Sequence, residues 1–330
     1  MDPLVSLVIL VAIALVFDFL NGFHDSANVV ATMISSGALP PRGALVVASL
    51  AEFAGPFLFG VAVAATIGKD IVAPETVTIS VVFAALGSAI IWNLLTWYFG
   101  IPSSSSHALI GGVAGAVVAG YGLSHIHFDG ITKIFLALFL SPPLGMVAGY
   151  LFMRSVVFLA RGASPGVNQF FKRSQILTSV ALALSHGSND AQKTMGIITM
   201  SLVTLRFEEA FVVPVWVIVA CAGAIALGVA TGGWRIIKTL GGRMYKIRPV
   251  HGFTAQAASA AVILGGALLG GPVSTTQVVS SAIMGVGSAE RLSKVRWEVA
   301  YSIVMAWAVT IPASAAVAAV LYFAIASFLG

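Results

Sequence analysis

Long apolar segments, separated by short polar ones, follow one another along nearly the whole chain. A membrane-spanning helix needs about 20 predominantly apolar residues, and several of these segments reach that length. The pattern therefore predicts an all-α, multi-pass membrane protein. The clearest apolar segments are 4–17, 44–66, 77–99, 131–152, 175–185, 211–231, 254–270 and 299–328, with shorter ones at 29–36, 108–120, 194–205 and 278–287.

Polar residues interrupt two of the apolar regions where the middle of the membrane should be. Residues 4–35 are too many for one straight crossing, and the stretch GFHDSAN places Asp25 and Asn28 among them. We expect one crossing made of two half-helices that meet at 21–28. Residues 175–203, which contain GSNDAQK, predict the same arrangement.

The polar stretches occur twice, in the same order. GFHDSAN at 22–28 aligns with GSNDAQK at 187–193, and PSSSSH at 102–107 aligns with PVSTTQ at 272–277. Each half of the chain therefore carries one acidic break and one Pro-Ser/Thr break, which indicates an internal repeat. The predicted division is a first repeat at 1–152, a short basic cytoplasmic linker at 153–174 and a second repeat at 175–330.

The basic residues indicate how the two repeats lie in the membrane. Suppose that each half consists of a broken spanning helix, a spanning helix, two paired re-entrant or half-helix segments that meet at the Pro-Ser/Thr break, and a final spanning helix. Most Lys and Arg residues then fall on one side, which the positive-inside rule makes the cytoplasmic side of the plasma (inner) membrane. The halves form an inverted-topology repeat, the architecture of secondary transporters with a site near the midplane. The residues on the cytoplasmic side are Arg42, Arg154, Arg161, Lys172, Arg173, Arg235, Lys238, Arg243, Lys246, Arg248, Arg291, Lys294 and Arg296, whereas Lys69, Lys133 and Arg206 fall on the other side.

Composition agrees with a membrane protein and excludes other classes. Of the 330 residues, 58% are hydrophobic and 9% are charged, and the mean hydropathy is +1.00, whereas soluble domains carry about 25% charged residues. The single cysteine, Cys221, allows neither a disulfide framework nor a cysteine metal cluster. The net charge of +5 comes from loops and does not indicate nucleic-acid binding. No catalytic motif such as H-E-x-x-H or G-x-S-x-G is found, so neither an enzyme nor a resident cofactor is predicted.

Asp25 and Asp190 are the first candidate site residues. An ionised carboxylate costs several kcal/mol in the bilayer, so such residues usually face a cavity or a partner. The alternative is a structural carboxylate that caps a half-helix. Two acids at equivalent repeat positions favour a binding site, whereas Asp18 is interpreted as a helix-packing partner.

Hydroxyl residues follow Pro102 and Pro272. A proline followed by hydroxyl residues at a helix start offers free backbone N–H groups, hydroxyl donors and the positive end of the helix dipole, which together can bind an oxyanion. The alternative is that these residues only cap the helices or allow close packing. The candidate substrate-binding residues of the two tracts are Ser104, Ser105, Ser106, Ser274, Thr275 and Thr276.

Nearby carboxylates favour phosphate over sulfate. Hydrogen phosphate carries a P–OH proton that Asp25 or Asp190 can accept, whereas sulfate has none and would leave a buried acceptor unpaired. The same carboxylates could hold Na⁺ or H⁺, because an added cation offsets their repulsion of the anion. The candidate cation-coupling residues are Asp25, Asn28, Glu52, His107, Asn189 and Asp190, with a possible Na⁺ at Asp25 and Asp190.

Lys193 departs from the repeat, because it aligns with Asn28. Its ammonium could bind phosphate, pair with Asp190 or replace a sodium ion, and we favour the last two roles. At least one of two symmetric cation sites would then be lost, which makes proton coupling more plausible.

Glu52 and three histidines have two interpretations each. Glu52 is either a proton carrier or a residue near the cytoplasmic interface. His107, which aligns with Gln277, is either a pH-sensitive group or, in our preferred interpretation, a hydrogen-bonded residue of the packed hairpin. His24 and His186 flank the acidic breaks and have the same two interpretations.

Four motifs in order resemble the inorganic phosphate transporter family, which includes bacterial low-affinity permeases and animal sodium-phosphate symporters. GFHDSANVVAT and SHGSNDAQKTMGII resemble its duplicated signature, and IPSSSSHALIGG and GPVSTTQ resemble its paired hydroxyl motifs. The resemblance implies an inverted-repeat membrane fold, a homodimer and movement of phosphate with Na⁺ or H⁺. It implies that phosphate is held by Asp25, Asn28, Ser104, Ser105, Ser106, Asp190, Ser274, Thr275 and Thr276.

The sequence departs from the animal members of that family, because only residues 153–174 separate its halves where those members have a long hydrophilic loop. Lys193 is similar to bacterial members described as proton-coupled carriers of phosphate or metal-phosphate complexes, and a few relatives move sulfate. We therefore expect a symporter that imports phosphate across the plasma membrane by alternating access. The other hypotheses are a passive anion channel and a membrane-embedded phosphatase.

Overall fold

A computed structural model describes residues 2–69, 76 and 78–329, and these residues form helices and no strands. Short 3-10 turns lie at Leu123–His125 and Leu292–Lys294, and a π-helical turn at Thr239–Arg243 continues α9. The helices are α1 (Pro3–Ser35), α2 (Pro41–Phe59), α3 (Ala62–Lys69), α4 (Ile79–Phe99), α5 (Ser105–Tyr121), α6 (Phe128–Leu159), α7 (Val167–Thr204), α8 (Val215–Thr231), α9 (Trp234–Lys238), α10 (Pro249–Leu268), α11 (Thr275–Glu290) and α12 (Trp297–Leu329).

Five of the described helices are long and apolar enough to cross a membrane: α1, α2, α4, α6 and α12. Helix α8 and the segment Trp234–Arg243, which meet at a bend of 58°, make a sixth span if they are counted as one. The prediction of an all-α multi-pass membrane protein is confirmed. Helices α7 and α10 are also long enough but are less apolar, and α7 carries several of the polar side chains described below.

The predicted half-helices at 21–28 and 187–193 are wrong. Helices α1 and α7 run without interruption through both polar stretches, over 33 and 38 residues. Many of the polar side chains there find partners on neighbouring helices, and the backbone keeps its own helical hydrogen bonds. At 1.5 Å per residue α1 is about 50 Å long, so it must tilt or extend beyond a hydrocarbon core of about 30 Å.

The breaks at the two hydroxyl tracts are present as predicted. Before each tract a glycine adopts a left-handed conformation, Gly100 with φ of 67° and Gly270 with φ of 73°, which suits a residue without a Cβ. The next helix then begins at an N-cap serine: Ser104 accepts from the His107 N–H at 3.2 Å, and Ser274 accepts from the Gln277 N–H at 3.4 Å. The chain thus aims the N-termini of α5 and α11 inward.

The segment between the halves is shorter than the predicted linker at 153–174. Helix α6 continues to Leu159 and α7 begins at Val167, so residues 160–166 connect them. The division into repeats at 152 and 175 stays a prediction.

Small residues let the helices that carry the polar stretches pack closely against their neighbours. A Cβ on Gly228 of α8 would lie 2.0 Å from the Phe19 carbonyl oxygen of α1, and a Cβ on Gly55 of α2 would lie 2.3 Å from the Leu184 carbonyl oxygen of α7. In each half, the helix that begins at the hydroxyl tract packs against the final long helix of the other half, α5 against α12 and α11 against α6.

Candidate functional site

The four polar stretches singled out in the sequence meet at one buried place. The middle parts of α1 and α7 supply the acids there, and the first turns of α5 and α11 supply the hydroxyl groups. Thr276 Oγ1 lies 3.1 Å from both carboxylate oxygens of Asp25, and Thr275 Oγ1 donates to Asp190 Oδ2 at 3.1 Å. Every one of the predicted substrate-binding side chains is buried.

Side chains from three other helices and from its own surround Asp25. His24 Nδ1 lies 2.7 Å from Oδ1, and Ser105 Oγ lies 3.5 Å from Oδ2. His186 Nε2 of α7 is 3.8 Å from Oδ2. With Thr276 of α11, these contacts keep a charge-bearing group inside the protein, where an unpaired carboxylate would be strongly disfavoured.

Asp190 has a different set of partners, dominated by a fixed positive charge. Lys193 Nζ lies 2.5 Å from Asp190 Oδ1, one turn along α7, and also donates to Ser106 Oγ at 2.6 Å. Asn21 Nδ2 donates to Asp190 Oδ2 at 3.5 Å, and His186 Nε2 is 3.6 Å from the same oxygen. The ion pair of Lys193 and Asp190 therefore bridges α7 to the first turn of α5.

The two hydroxyl tracts touch each other at the centre of the site. Ser274 Oγ donates to Ser104 Oγ at 2.7 Å, so the N-caps of α5 and α11 are in direct contact. Two helix N-termini with their dipoles directed toward one place create a positive potential that suits an anion. The neighbouring hydroxyl groups add donors that can reorient toward different oxygen atoms.

Asn28 and Asn189 each have one unsatisfied oxygen. Asn28 Nδ2 donates to Thr276 Oγ1 at 3.0 Å, but its Oδ1 is buried with no hydrogen-bond partner among the described residues. Asn189 instead points to the segment before α11, where Nδ2 donates to the Gly271 carbonyl at 3.4 Å. Asn28 therefore lies at the acids, whereas Asn189 lies beside the hydroxyl tract.

Glu52 and His107 lie at the edge of the site. Glu52 of α2 is completely buried, and its Oε1 is 2.8 Å from His186 Nδ1, so it reaches the acids through that histidine. His107 Nδ1 is 2.7 Å from Ser104 Oγ, the N-cap of α5. His107 also lines an apolar groove of about 680 Å³ between α6 and α12, together with Gln277.

Sequence reasoning gave His186 no definite role and did not name Asn21. The structure places His186 among three carboxylates, those of Glu52, Asp25 and Asp190. The available signal was spacing, because each of these residues lies four positions before an acid and therefore on the same helix face. Asp18 contacts Thr194 at 2.5 Å and joins α1 to α7, which agrees with a packing role.

The site contains atoms that suit a small hard cation. Asp25, His186 and Asp190 each offer one ligand atom, and these atoms lie within 4.8 Å of one another. Hard cations prefer carboxylate, amide and hydroxyl oxygens, and the unsatisfied Oδ1 of Asn28 adds a further oxygen beside Asp25. The oxygen ligands among these atoms fit a hard cation such as Na⁺.

Comparison with known proteins identifies related transporters. The sequence profile described as "Phosphate transporter family" matches residues 21–165 and 159–318. A probable low-affinity inorganic phosphate transporter of Bacillus subtilis (strain 168) is 47% identical over 328 residues, which cover 98% of each chain. A protein of the same description from Rhizobium meliloti (strain 1021) is 46% identical over 320 residues, 96% of each chain. A solved structure described as "The sodium-dependent phosphate transporter" is similar with a TM-score of 0.87 at 25% identity, over 97% of this chain and 99% of that one.

Proposed function

Because this chain belongs to the phosphate transporter family, whose members are transporters and not enzymes, we propose that it is a symporter that imports inorganic phosphate across the plasma membrane. One observation carries the proposal. Two buried acids and two hydroxyl-rich helix N-termini, from distant parts of the sequence, converge on one place. The proposed phosphate ligands are Asp25, Asn28, Ser104, Ser105, Ser106, Asp190, Lys193, Ser274, Thr275 and Thr276.

The donors and acceptors of the site match hydrogen phosphate. The hydroxyl groups and the N-termini of α5 and α11 can donate to its negatively charged oxygens. The carboxylates of Asp25 and Asp190 can accept its P–OH proton. Sulfate offers no such proton, so the same two carboxylates would repel it, and a metal-phosphate complex would use them to bind the metal instead.

Cation coupling follows from the charge of the site. Moving an anion next to two carboxylates is unfavourable unless positive charge accompanies it. We propose that H⁺ or Na⁺ binds at Asp25 and Asn28, and that Glu52 influences this position through His186. Asn189 and His107 would act on the hydroxyl tracts rather than on the cation. The similar solved structure is that of a protein described as sodium-dependent, which supports a test of Na⁺ first.

Alternating access is supported by two corresponding hydrogen bonds that join the halves. Asn28 of the first half reaches Thr276 of the second, and Lys193 of the second half reaches Ser106 of the first. The site is buried within the described residues, so an exchange between two arrangements of the halves is needed to expose it to each side in turn. We also propose a homodimer, which light scattering of the purified protein in detergent would detect.

The decisive experiment is phosphate uptake into proteoliposomes with sodium and pH gradients imposed separately. A symporter accumulates phosphate above the external concentration when its coupling gradient is directed inward, and stops at equilibrium when the gradient is collapsed. A passive channel reaches only equilibrium under every gradient. Release of phosphate from an ester substrate, without uptake of free phosphate, would instead indicate a phosphatase.

A further inference from the structure

Around the two acids, positions that align between the halves differ in a regular way. At each of three such pairs, one half has asparagine and the other has a basic side chain. Among the basic members only lysine carries an ammonium group, whereas the other two are imidazoles. The pairs are Asn21 with His186, Asn189 with His24, and Asn28 with Lys193.

Lys193 and Asn28 occupy equivalent places and reach equivalent partners. Asn28 Nδ2 donates to Thr276, and Lys193 Nζ donates to Ser106, which is the residue that aligns with Thr276. The difference lies at the acids. Lys193 Nζ is 2.5 Å from Asp190 Oδ1, whereas Asn28 brings Asp25 no charge and leaves its own Oδ1 without a partner among the described residues.

The two halves therefore differ in the groups that they offer to a cation. In the first half, the Asp25 carboxylate and the unsatisfied Asn28 oxygen are oxygen ligands available to a mobile cation. In the second half, the corresponding amide oxygen does not exist, and a covalently attached ammonium group stands beside the acid. An ammonium group is a compact charge with its own hydrogen-bond donors. Because Lys193 is buried, with 1% of its surface exposed, its ion pair with Asp190 is shielded from solvent.

We propose that Lys193 is a tethered counter-cation, which permanently fills in the second half the position that a mobile coupling cation takes in the first half. The inference rests on the proposed phosphate symport and concerns the number of cations that are moved with each phosphate. Each transport cycle moves one coupling cation fewer than a site with asparagine in both halves would move. Two of the three N–H bonds of the ammonium group have acceptors among the described residues, Asp190 and Ser106, and the third is assigned to phosphate.

The test is phosphate uptake into proteoliposomes while external Na⁺ is replaced stepwise by choline, at two values of external pH. Lys193→Asn gives the second half the residue of the first and opens a second place for a mobile cation. In choline at the higher pH, its uptake should be roughly tenfold or more below wild type, since a charged hydrogen bond is lost. Uptake should recover as Na⁺ is added or the pH is lowered, with a steeper dependence on that cation than in wild type.

Two further variants serve as controls. Lys172→Asn removes the same charge from the same helix outside the site, so its cation dependence should equal that of wild type. Lys193→Arg keeps the charge and should also keep the wild-type dependence. As a measurement independent of transport, Na⁺ in place of choline should raise the unfolding temperature of purified Lys193→Asn more than that of wild type or Lys172→Asn.

The proposal is overturned if Lys193→Asn responds to Na⁺ and pH as wild type does, or is unstable at every Na⁺ concentration. A steeper cation dependence in Lys193→Arg would also contradict it. Wild-type vesicles that take up no phosphate would overturn the proposed function itself. Normal wild-type uptake with an unresponsive Lys193→Asn would overturn only the role of Lys193.

Discussion

At the scale of single residues, the two aspartates differ in what neutralises them. Asp25 is surrounded by neutral or titratable donors, whereas Asp190 is paired with an ammonium group. Loss of the Asp25 charge therefore removes a ligand, and loss of the Asp190 charge also leaves a buried cation without its partner. The two substitutions should have different consequences for stability.

Asp25→Asn should lower phosphate uptake by roughly 100-fold while the protein stays folded, because the uncharged amide oxygen is a weaker acceptor for the P–OH group and does not bind a cation as a carboxylate does. Uptake at saturating phosphate and a size-exclusion profile would be measured together. Near wild-type uptake in this variant would place the binding site elsewhere.

Asp190→Asn should abolish uptake and also reduce the free energy of unfolding by about 3 kcal/mol, because one partner of a buried ion pair is removed. The double variant Asp190→Asn/Lys193→Met should regain most of the stability without regaining uptake. Denaturant unfolding in detergent provides the measurement. Equal stability of Asp190→Asn and wild type would mean that the ion pair is exposed to solvent.

The acids and hydroxyl groups of the site could be identified from the sequence for two reasons. Burying such polar groups costs free energy, and the motifs that contain them occur twice. His186 could not be assigned in the same way. Its contact with Glu52 depends on how α2 packs against α7, and that packing is set by close approaches such as the one at Gly55 rather than by any local spacing.

At the scale of secondary-structure elements, apolar length predicted the spanning helices well, but polar residues were a poor guide to helix ends. Asp25 and Asn28 lie in the interior of α1 because their side chains reach partners on α11 without opening the backbone. The true breaks follow glycines in left-handed conformations, Gly100 and Gly270, and precede serine N-caps. Turn chemistry was thus a better predictor of interruption than polarity.

Two glycines on α8 allow a matched test of close packing. A Cβ at Gly228 would lie 2.0 Å from the Phe19 carbonyl oxygen, whereas a Cβ at Gly223 would meet nothing within 4 Å. Gly228→Ala should destabilise the protein by about 1–3 kcal/mol through overpacking, and Gly223→Ala should be neutral or stabilising because alanine favours helix. Thermal unfolding of both variants checks this. Unchanged stability of Gly228→Ala would contradict the close contact between α1 and α8.

At the scale of the whole molecule, the distribution of basic residues predicts which side each loop faces. Residue 164, between α6 and α7, should face the cytoplasm, and residue 208, after α7, should face the other side. Both positions are exposed, and the native Cys221 is buried, so introduced cysteines can be labelled selectively.

In right-side-out vesicles, a membrane-impermeant thiol reagent should label Glu208→Cys and leave Ser164→Cys unlabelled until the membrane is permeabilised. The unmodified protein, with Cys221 alone, is the background control. The reverse pattern would invert the orientation, and labelling of both positions on one side would contradict a single spanning role for α7.

A difference such as that between Asn28 and Lys193 has a consequence for how a protein of this kind could arise. In an assembly of two identical subunits encoded by one gene, symmetry forces the same residue onto both sides of the axis, so a lysine beside one acid must also appear beside the other. A duplicated gene would lift this constraint, because its two copies can then change independently. One copy can then place a lysine beside its acid, while the other keeps an asparagine and depends on a cation from solution.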